Sequence, residues 1–140
     1  MPFVNAATIA AGSTTPALLP AGLHGARVRA STAAFTCASD AAGTYTVPIV
    51  LPKGARVLTM FTNASATMGG TATIAIGIAG ATGKYRAAAT HTATDTLAFR
   101  SLATVFGVEL TADEQIIMTT AAAALPSSGT LTIGFLYTID

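Results

Sequence analysis

Charge is scarce in this chain. Asp, Glu, Lys and Arg together make up 9% of its 140 residues, where soluble domains carry roughly 25%. Tryptophan is absent, aromatic residues reach only 6%, and Cys37 is the single cysteine. Each shortage excludes something. One cysteine cannot form an intrachain disulfide or bind a metal through paired thiols, so Cys37 is expected to serve as a small buried hydrophobe. Seven Lys and Arg scattered from Arg27 to Arg100, with a net charge of +1, make no basic patch, which argues against nucleic acid as a partner. No stretch approaches the ~18 consecutive apolar residues of a membrane span. No Lys or Arg precedes Arg27, and the compact apolar run of a secretory signal is missing as well. The expectation is a chain made in a cytoplasm that leaves it only as part of a larger particle.

Small residues fill the space that charge leaves. There are 31 Ala and 24 Thr. Alanine has no rotamers to lose and threonine is stiff at χ1, so a surface built from them gives up little entropy when another protein covers it. Long charged side chains would lose more, and they are depleted at interface cores. Leu, Ile, Val and Phe number 33, above the ~20% level below which chains stay disordered. A core is therefore available, though a thin one. The composition fits a protein that works by being packed against other proteins.

Residues 1–26 differ from the rest of the chain. They contain Pro2, Pro16 and Pro20, Gly12, Gly22 and Gly25, and no formal charge with His24 neutral. That density of Pro and Gly opposes a regular element. Phe3-Val4, Ile9 and Leu18-Leu19 break the segment with apolar patches, whereas a free tail is more polar. The segment reads as an extended N-terminal arm that docks on a neighbouring subunit, with these five residues as candidate contacts, or else as a frayed terminus.

Residues 27–140 read as one domain of short strands. Residues 71–78 alternate cleanly, with Ala72, Ile74, Ile76 and Ile78 on one face. Residues 130–139 do the same with Leu131, Ile133, Phe135, Tyr137 and Ile139. Period-two alternation of β-branched and aromatic residues marks half-buried strands. Further strands are predicted at 27–37, 44–51, 55–63, 97–110 (broken near Gly107) and 114–121. Turn chemistry separates them at Asp40-Ala41-Ala42-Gly43, Pro52-Lys53-Gly54, Met68-Gly69-Gly70 and Pro126-Ser127-Ser128-Gly129. Pro48 cannot donate to a ladder, so its strand belongs at an edge or carries a bulge. Residues 87–96 read as a loop with room for a short helix. Thr111-Ala112-Asp113-Glu114 matches a helical capping box, but the β-rich residues after it make it a turn entering a strand. The fold class is all-β: a single antiparallel β-sandwich or jelly roll behind an extended arm.

No motif names a reaction, and no enzyme is expected. The run Gly77-Ile78-Ala79-Gly80-Ala81-Thr82-Gly83-Lys84-Tyr85 is not a phosphate loop. The loop's first glycine would fall at Ile78, and Tyr85 stands where a magnesium-binding Ser or Thr is required. His91 and Asp95 lie four apart, a helical spacing for a base pair or half a metal site, but zinc needs three or four ligands. The six carboxylates are too scattered to nominate an acid/base pair, and Asp113-Glu114 reads as a solvated turn. Asn63-Ala64-Ser65 matches a glycosylation sequon without a secretory leader. No catalytic, metal or cofactor site and no small-molecule substrate is expected. Lys84-Tyr85-Arg86 is the densest polar cluster. It reads as a solvated strand end or as a contact to an acidic neighbour anchored by Tyr85.

One succession of residues carries a resemblance. It begins with Leu51-Pro52-Lys53-Gly54-Ala55-Arg56-Val57, an alternating strand ending in Ile76-Gly77-Ile78, and Lys84-Tyr85. Leu110-Thr111-Ala112-Asp113-Glu114 and Ala123-Ala124-Leu125-Pro126 come next, with Gly129-Thr130-Leu131 leading into the last strand. Over residues 45–140 this resembles the small head decoration or cement proteins of tailed bacteriophages. The resemblance implies a compact β-sandwich or jelly roll that trimerises on capsid three-fold positions and clamps shell subunits against internal DNA pressure. Its partners would be the major capsid protein and itself as a homotrimer. It would lie on the capsid surface of a virion assembled in a bacterial cytoplasm, and the arm would reach a neighbouring cement subunit or cross the shell. The alternative is a carbohydrate- or receptor-binding sandwich of a phage tail fibre or spike. Sugar sites favour exposed aromatics, and here tyrosine is limited to Tyr45, Tyr85 and Tyr137.

Overall fold

The computed structural model describes residues 27–100 and 102–139; the expected arm, residues 1–26, lies outside them. Eight strands are present among the described residues: β1 Arg27–Thr36, β2 Gly43–Leu51, β3 Arg56–Ala64, β4 Thr73–Ile78, β5 Ala81–Thr90, β6 Ala98–Arg100, β7 Glu114–Ala121 and β8 Thr130–Ile139. They form two four-stranded sheets, sheet A in the order β1-β8-β3-β6 and sheet B in the order β2-β7-β4-β5. All pairings between strands are antiparallel. Strands pair β1 with β8, β2 with β7, β3 with β6 and β4 with β5, so the chain is one long hairpin of strands rolled up into two layers. That nesting is the jelly roll.

The alternation read from the sequence decides which face of each strand is buried. In β8 Leu131, Ile133 and Phe135 are fully buried and Tyr137 nearly so. They meet Met60 and Val57 of β3 in the same layer and Ile74, Ile76, Ile116 and Met118 from sheet B. Tyr85 stands edge-on to Phe135, with ring centroids 5.0 Å apart. Cys37 is buried, its Sγ 3.6 Å from Met68 Sδ. Burial, and secondarily the charge of Asp40, pushes its thiol pKa up. It is a packed hydrophobe, as expected, and not an activated nucleophile.

Pro48 behaves as its chemistry requires. Its strand β2 is the outer strand of sheet B, and the register with β7 slips between Thr46 and Val50. The Gln115 side-chain amide donates to the Val47 and Ile49 carbonyls at 2.5 and 3.1 Å, standing in for the ladder bonds lost there. The capping-box sequence before β7 is a turn, as read. Asp113 Oδ1 accepts the Lys53 N–H at 2.7 Å and ties it to the Pro52-Lys53-Gly54 turn.

Two stretches depart from the sequence reading. Residues 81–90, read as the end of a glycine turn and the start of a loop, are the ten-residue strand β5. Its alanines hide the period of two, and its pairing with β4 is interrupted by two register shifts. Conversely, 97–110 is not a strand along its length. Ala98–Arg100 pairs with β3, the chain then turns through residues 103–107, and it pairs with β3 again only in a single bridge from Glu109 to Arg56. Arg56 holds this turn through Nη1 to the Gly107 carbonyl at 3.1 Å and Nη2 to Glu109 at 2.6 Å, and Gly107 N donates to the Val57 carbonyl at 2.9 Å.

Candidate functional site

The cluster Lys84-Tyr85-Arg86 lies on β5, the other outer strand of sheet B, and its partners belong to its own chain. Lys84 Nζ pairs with Glu114 Oε1, and the Tyr85 hydroxyl donates to Glu114 Oε2 at 2.5 Å. Lys84 also sits 5.3 Å from the Tyr85 ring centroid. The acidic partner that Lys84 and Tyr85 hold within the chain is Glu114, at the start of β7. Burial raises the Tyr85 pKa, and the hydrogen bond and charge of Glu114 add to this. Arg86 is buried, and its guanidinium donates to the Ile74, Ala89 and Thr90 carbonyls. Burial, with Arg100 nearby, lowers its pKa to about 10. Of the three residues, Lys84 alone keeps contact with solvent; Tyr85 and Arg86 spend their polar groups inside the sandwich.

His91 and Asp95 form no pair. The segment after β5 is not helical, and His91 Nε2 lies 3.0 Å from Thr62 Oγ1 on β3 in the opposite sheet. Burial lowers the His91 pKa, and the positive charges of Arg86 and Arg100 push it the same way. This histidine joins the two layers. Among the described residues no group of three His, Cys, Asp or Glu side chains is placed to hold a metal ion. A cleft between β1 and β2, lined by Ala33, Phe35, Val47, Pro48 and Ile133 among others, encloses about 20 Å³. That is room for about one water, against ~300–1,000 Å³ for a ligand pocket.

What the fold offers instead is surface. Large apolar side chains stand exposed at Val28, Val50, Leu97, Phe99, Phe106 and Val108. Four of these six come from the segment on the β6 side of sheet A. The register explains the concentration. Phe61 on β3 pairs with Gly134 on β8 and with Phe99 on β6, and since Met60 and Phe135 point inward, Phe61 and Phe99 point outward. A Cβ on Gly134 would come within 2.1 Å of the Phe61 ring, so only glycine lets that ring lie down on the sheet. Phe61 and Phe99 then pack with centroids 5.7 Å apart, and Phe99 remains 57% exposed. Half-buried Leu136 and exposed Val28 continue the same outer face across β8 and β1. Among the described residues its charge lies at one end, where Arg56 is paired with Glu109.

The sequence reading missed this face. A strand drawn through 97–110 scatters Leu97, Phe99, Phe106 and Val108 over two faces. The usable signal was Phe61 opposite Gly134, which becomes visible once β3 and β8 are placed side by side. Phe3, Val4, Ile9, Leu18 and Leu19 lie outside the described residues.

No protein-family model matches the chain, and no curated protein matches it. Solved structures do. The chain is similar along 100% of its length, and 100% of the other's, to a chain of the cyanophage Pam1 capsid asymmetric unit, with 25% identity and a TM-score of 0.68. A chain in the capsid of Ralstonia phage GP4 is 20% identical with a TM-score of 0.63, covering 81% of this chain and 85% of its own. A chain in the acid-stable capsid of Helicobacter pylori bacteriophage KHP30 is 13% identical with a TM-score of 0.57, covering 81% and 93%. The last two share the jelly-roll fold; the first also shares sequence along the whole chain.

Proposed function

We propose that this chain is a structural protein of a phage capsid, and that within the capsid it decorates and cements the outer surface of the head. The observation that carries the first part is the end-to-end similarity to a chain of the Pam1 capsid. The second part is supported by the surface. It is poor in charge, rich in Ala and Thr, and carries an outward aromatic pair, so it can be covered by protein at little entropic cost.

In this reading the chain binds the major capsid protein and its own copies as a trimer on three-fold positions. Three copies of each weak contact then act through effective concentration, and modest affinity per chain becomes firm attachment. Contacts made by apolar and hydroxyl groups are little affected by salt. Residues 1–26, with Phe3, Val4, Ile9, Leu18 and Leu19, extend these contacts to neighbouring subunits on the shell. No step requires a cofactor. The tyrosines that a sugar-stacking site would use are taken up by the fold: Tyr85 and Tyr137 are buried, and Tyr45 is half-buried edge-on to Phe35 at 5.3 Å.

The test is a phage in which this protein is deleted. Heads are expected to assemble and package DNA but to release it at a lower temperature than wild-type heads. Heads of unchanged thermal stability would contradict the cement role, and failure to form any shell would point to a lattice subunit instead.

A further inference from the structure

We infer that Arg86, Arg100 and His91 form a halide-binding site inside the sandwich. Their placement follows from the register. Arg100 on β6 pairs with Met60 on β3, so its side chain leaves sheet A on the inner face, where Met60 is fully buried. Thr62, two residues along the same face and also fully buried, meets His91 Nε2 at 3.0 Å. The Thr62 and Met60 rows lie roughly 7 Å apart. From sheet B, buried Arg86 donates through Nη2 to the carbonyl of Thr90, the residue before His91, at 3.0 Å. His91 is thus tied to both layers next to both arginines. The charges of Arg86 and Arg100 act on it, and that of Arg100 acts on Arg86.

Each of the three residues has one buried nitrogen without a partner in the chain: Arg86 Nε, Arg100 Nε and His91 Nδ1. Arg86 and His91 are each only 4% exposed. With His91 Nε2 accepting from the Thr62 hydroxyl, Nδ1 carries the imidazole proton, and all three nitrogens are donors. Water can meet a lone donor, but it cannot balance charge. A guanidinium keeps its proton at neutral pH, and a buried charge without a counter-charge is costly. The described carboxylates are engaged elsewhere. Glu109 pairs with Arg56 and Glu114 with Lys84. Asp40 and Asp113 accept the Ala38 and Lys53 N–H groups. Asp95 is exposed and is not among the charges acting on Arg86 or His91. The donors also select the anion. Arg86 spends Nη1 and Nη2 on the Ile74, Ala89 and Thr90 carbonyls, so it has no fork left for the paired oxygens of a carboxylate or phosphate. Single N–H groups from three separate residues suit a spherical, monatomic ion.

The test uses the full-length chain with bromide and chloride as probes. In crystals grown in sodium bromide, anomalous scattering is expected to place one bromide in contact with Arg86 Nε, Arg100 Nε and His91 Nδ1. Water, an oxyanion or one of the chain's own carboxylates in that place would overturn the inference. In solution, 35Cl line broadening measures chloride affinity. Arg100→Gln is expected to weaken it about ten-fold or more, the worth of one hydrogen bond to an ion. Lys53→Gln removes the same charge from an exposed turn and is expected to leave the affinity unchanged. Equal weakening by both variants would show diffuse attraction and overturn the site. Bromide bound in crystals without 35Cl broadening in solution would mark an adventitious ion only, and would overturn it too. Neither measurement involves a phage head, so the outcome is independent of the cement role.

Discussion

His91 shows how single residues hold the layers together. It is buried in the segment between β5 and β6, its Nε2 3.0 Å from Thr62 Oγ1. Burial and the two arginines disfavour its protonation in the fold. An unfolded chain takes up the same proton near the ordinary value of ~6.5. Just below that pH the unfolded state binds more protons than the native one, so stability falls as pH falls. The urea midpoint is expected to decrease between pH 7 and pH 5.5, and His91→Gln is expected to flatten that slope. An equally steep profile in the variant would show that other groups carry it. Glu114 is the other residue whose role the sequence hid. Beside Asp113 it looked like part of a solvated turn, yet it holds both Lys84 and Tyr85. Its position at the start of β7 is legible; the partner strand β5 that gives it meaning was not.

At the scale of elements, the edges need explaining, because an unpaired strand invites aggregation. Sheet B ends in β2, bulged at Pro48, and in β5, where the register shifts twice and Arg86 takes up carbonyls near the strand's end. Sheet A ends in β6, three residues long. Its other edge, β1, is ten residues in unbroken register with β8 and, among the described residues, carries Arg27 and Arg29. Pro48 could be read as an edge or bulge from sequence, since a missing N–H has few tolerable places. The β4–β5 hairpin could not, because Ala and Gly carry no alternating signal and the decisive contact is backbone to backbone. A Cβ on Gly77 would lie 2.2 Å from the Ala81 carbonyl oxygen and 2.6 Å from the Thr82 carbonyl carbon. Backbone cannot swing aside as a side chain can. Gly77→Ala is expected to cost about 3 kcal/mol, at the upper end for overpacking, read from chemical denaturation. A change below about 0.5 kcal/mol, typical of surface substitutions, would contradict the close approach.

At the scale of the molecule, the strand order of the jelly roll comes from the nested hairpin, and the sandwich itself was legible because β4 and β8 alternate so clearly. The proposed interaction surface was legible only as composition. Few charges, many Ala and Thr and little aromatic content announce a chain to be covered by others, but the location of that surface depends on register. Phe61 and Phe99 are 38 residues apart in sequence and meet because β3 lies between β8 and β6. If the protein cements a phage head, this surface must attach to the outside of the shell. That attachment is measured by adding the purified chain to heads made without it and imaging them by electron cryomicroscopy. Added density is expected on the outer surface at three-fold positions, three copies to each, with a raised temperature of DNA release. Heads that bind none of the added protein, or carry it elsewhere than the outer surface, would contradict the cement role.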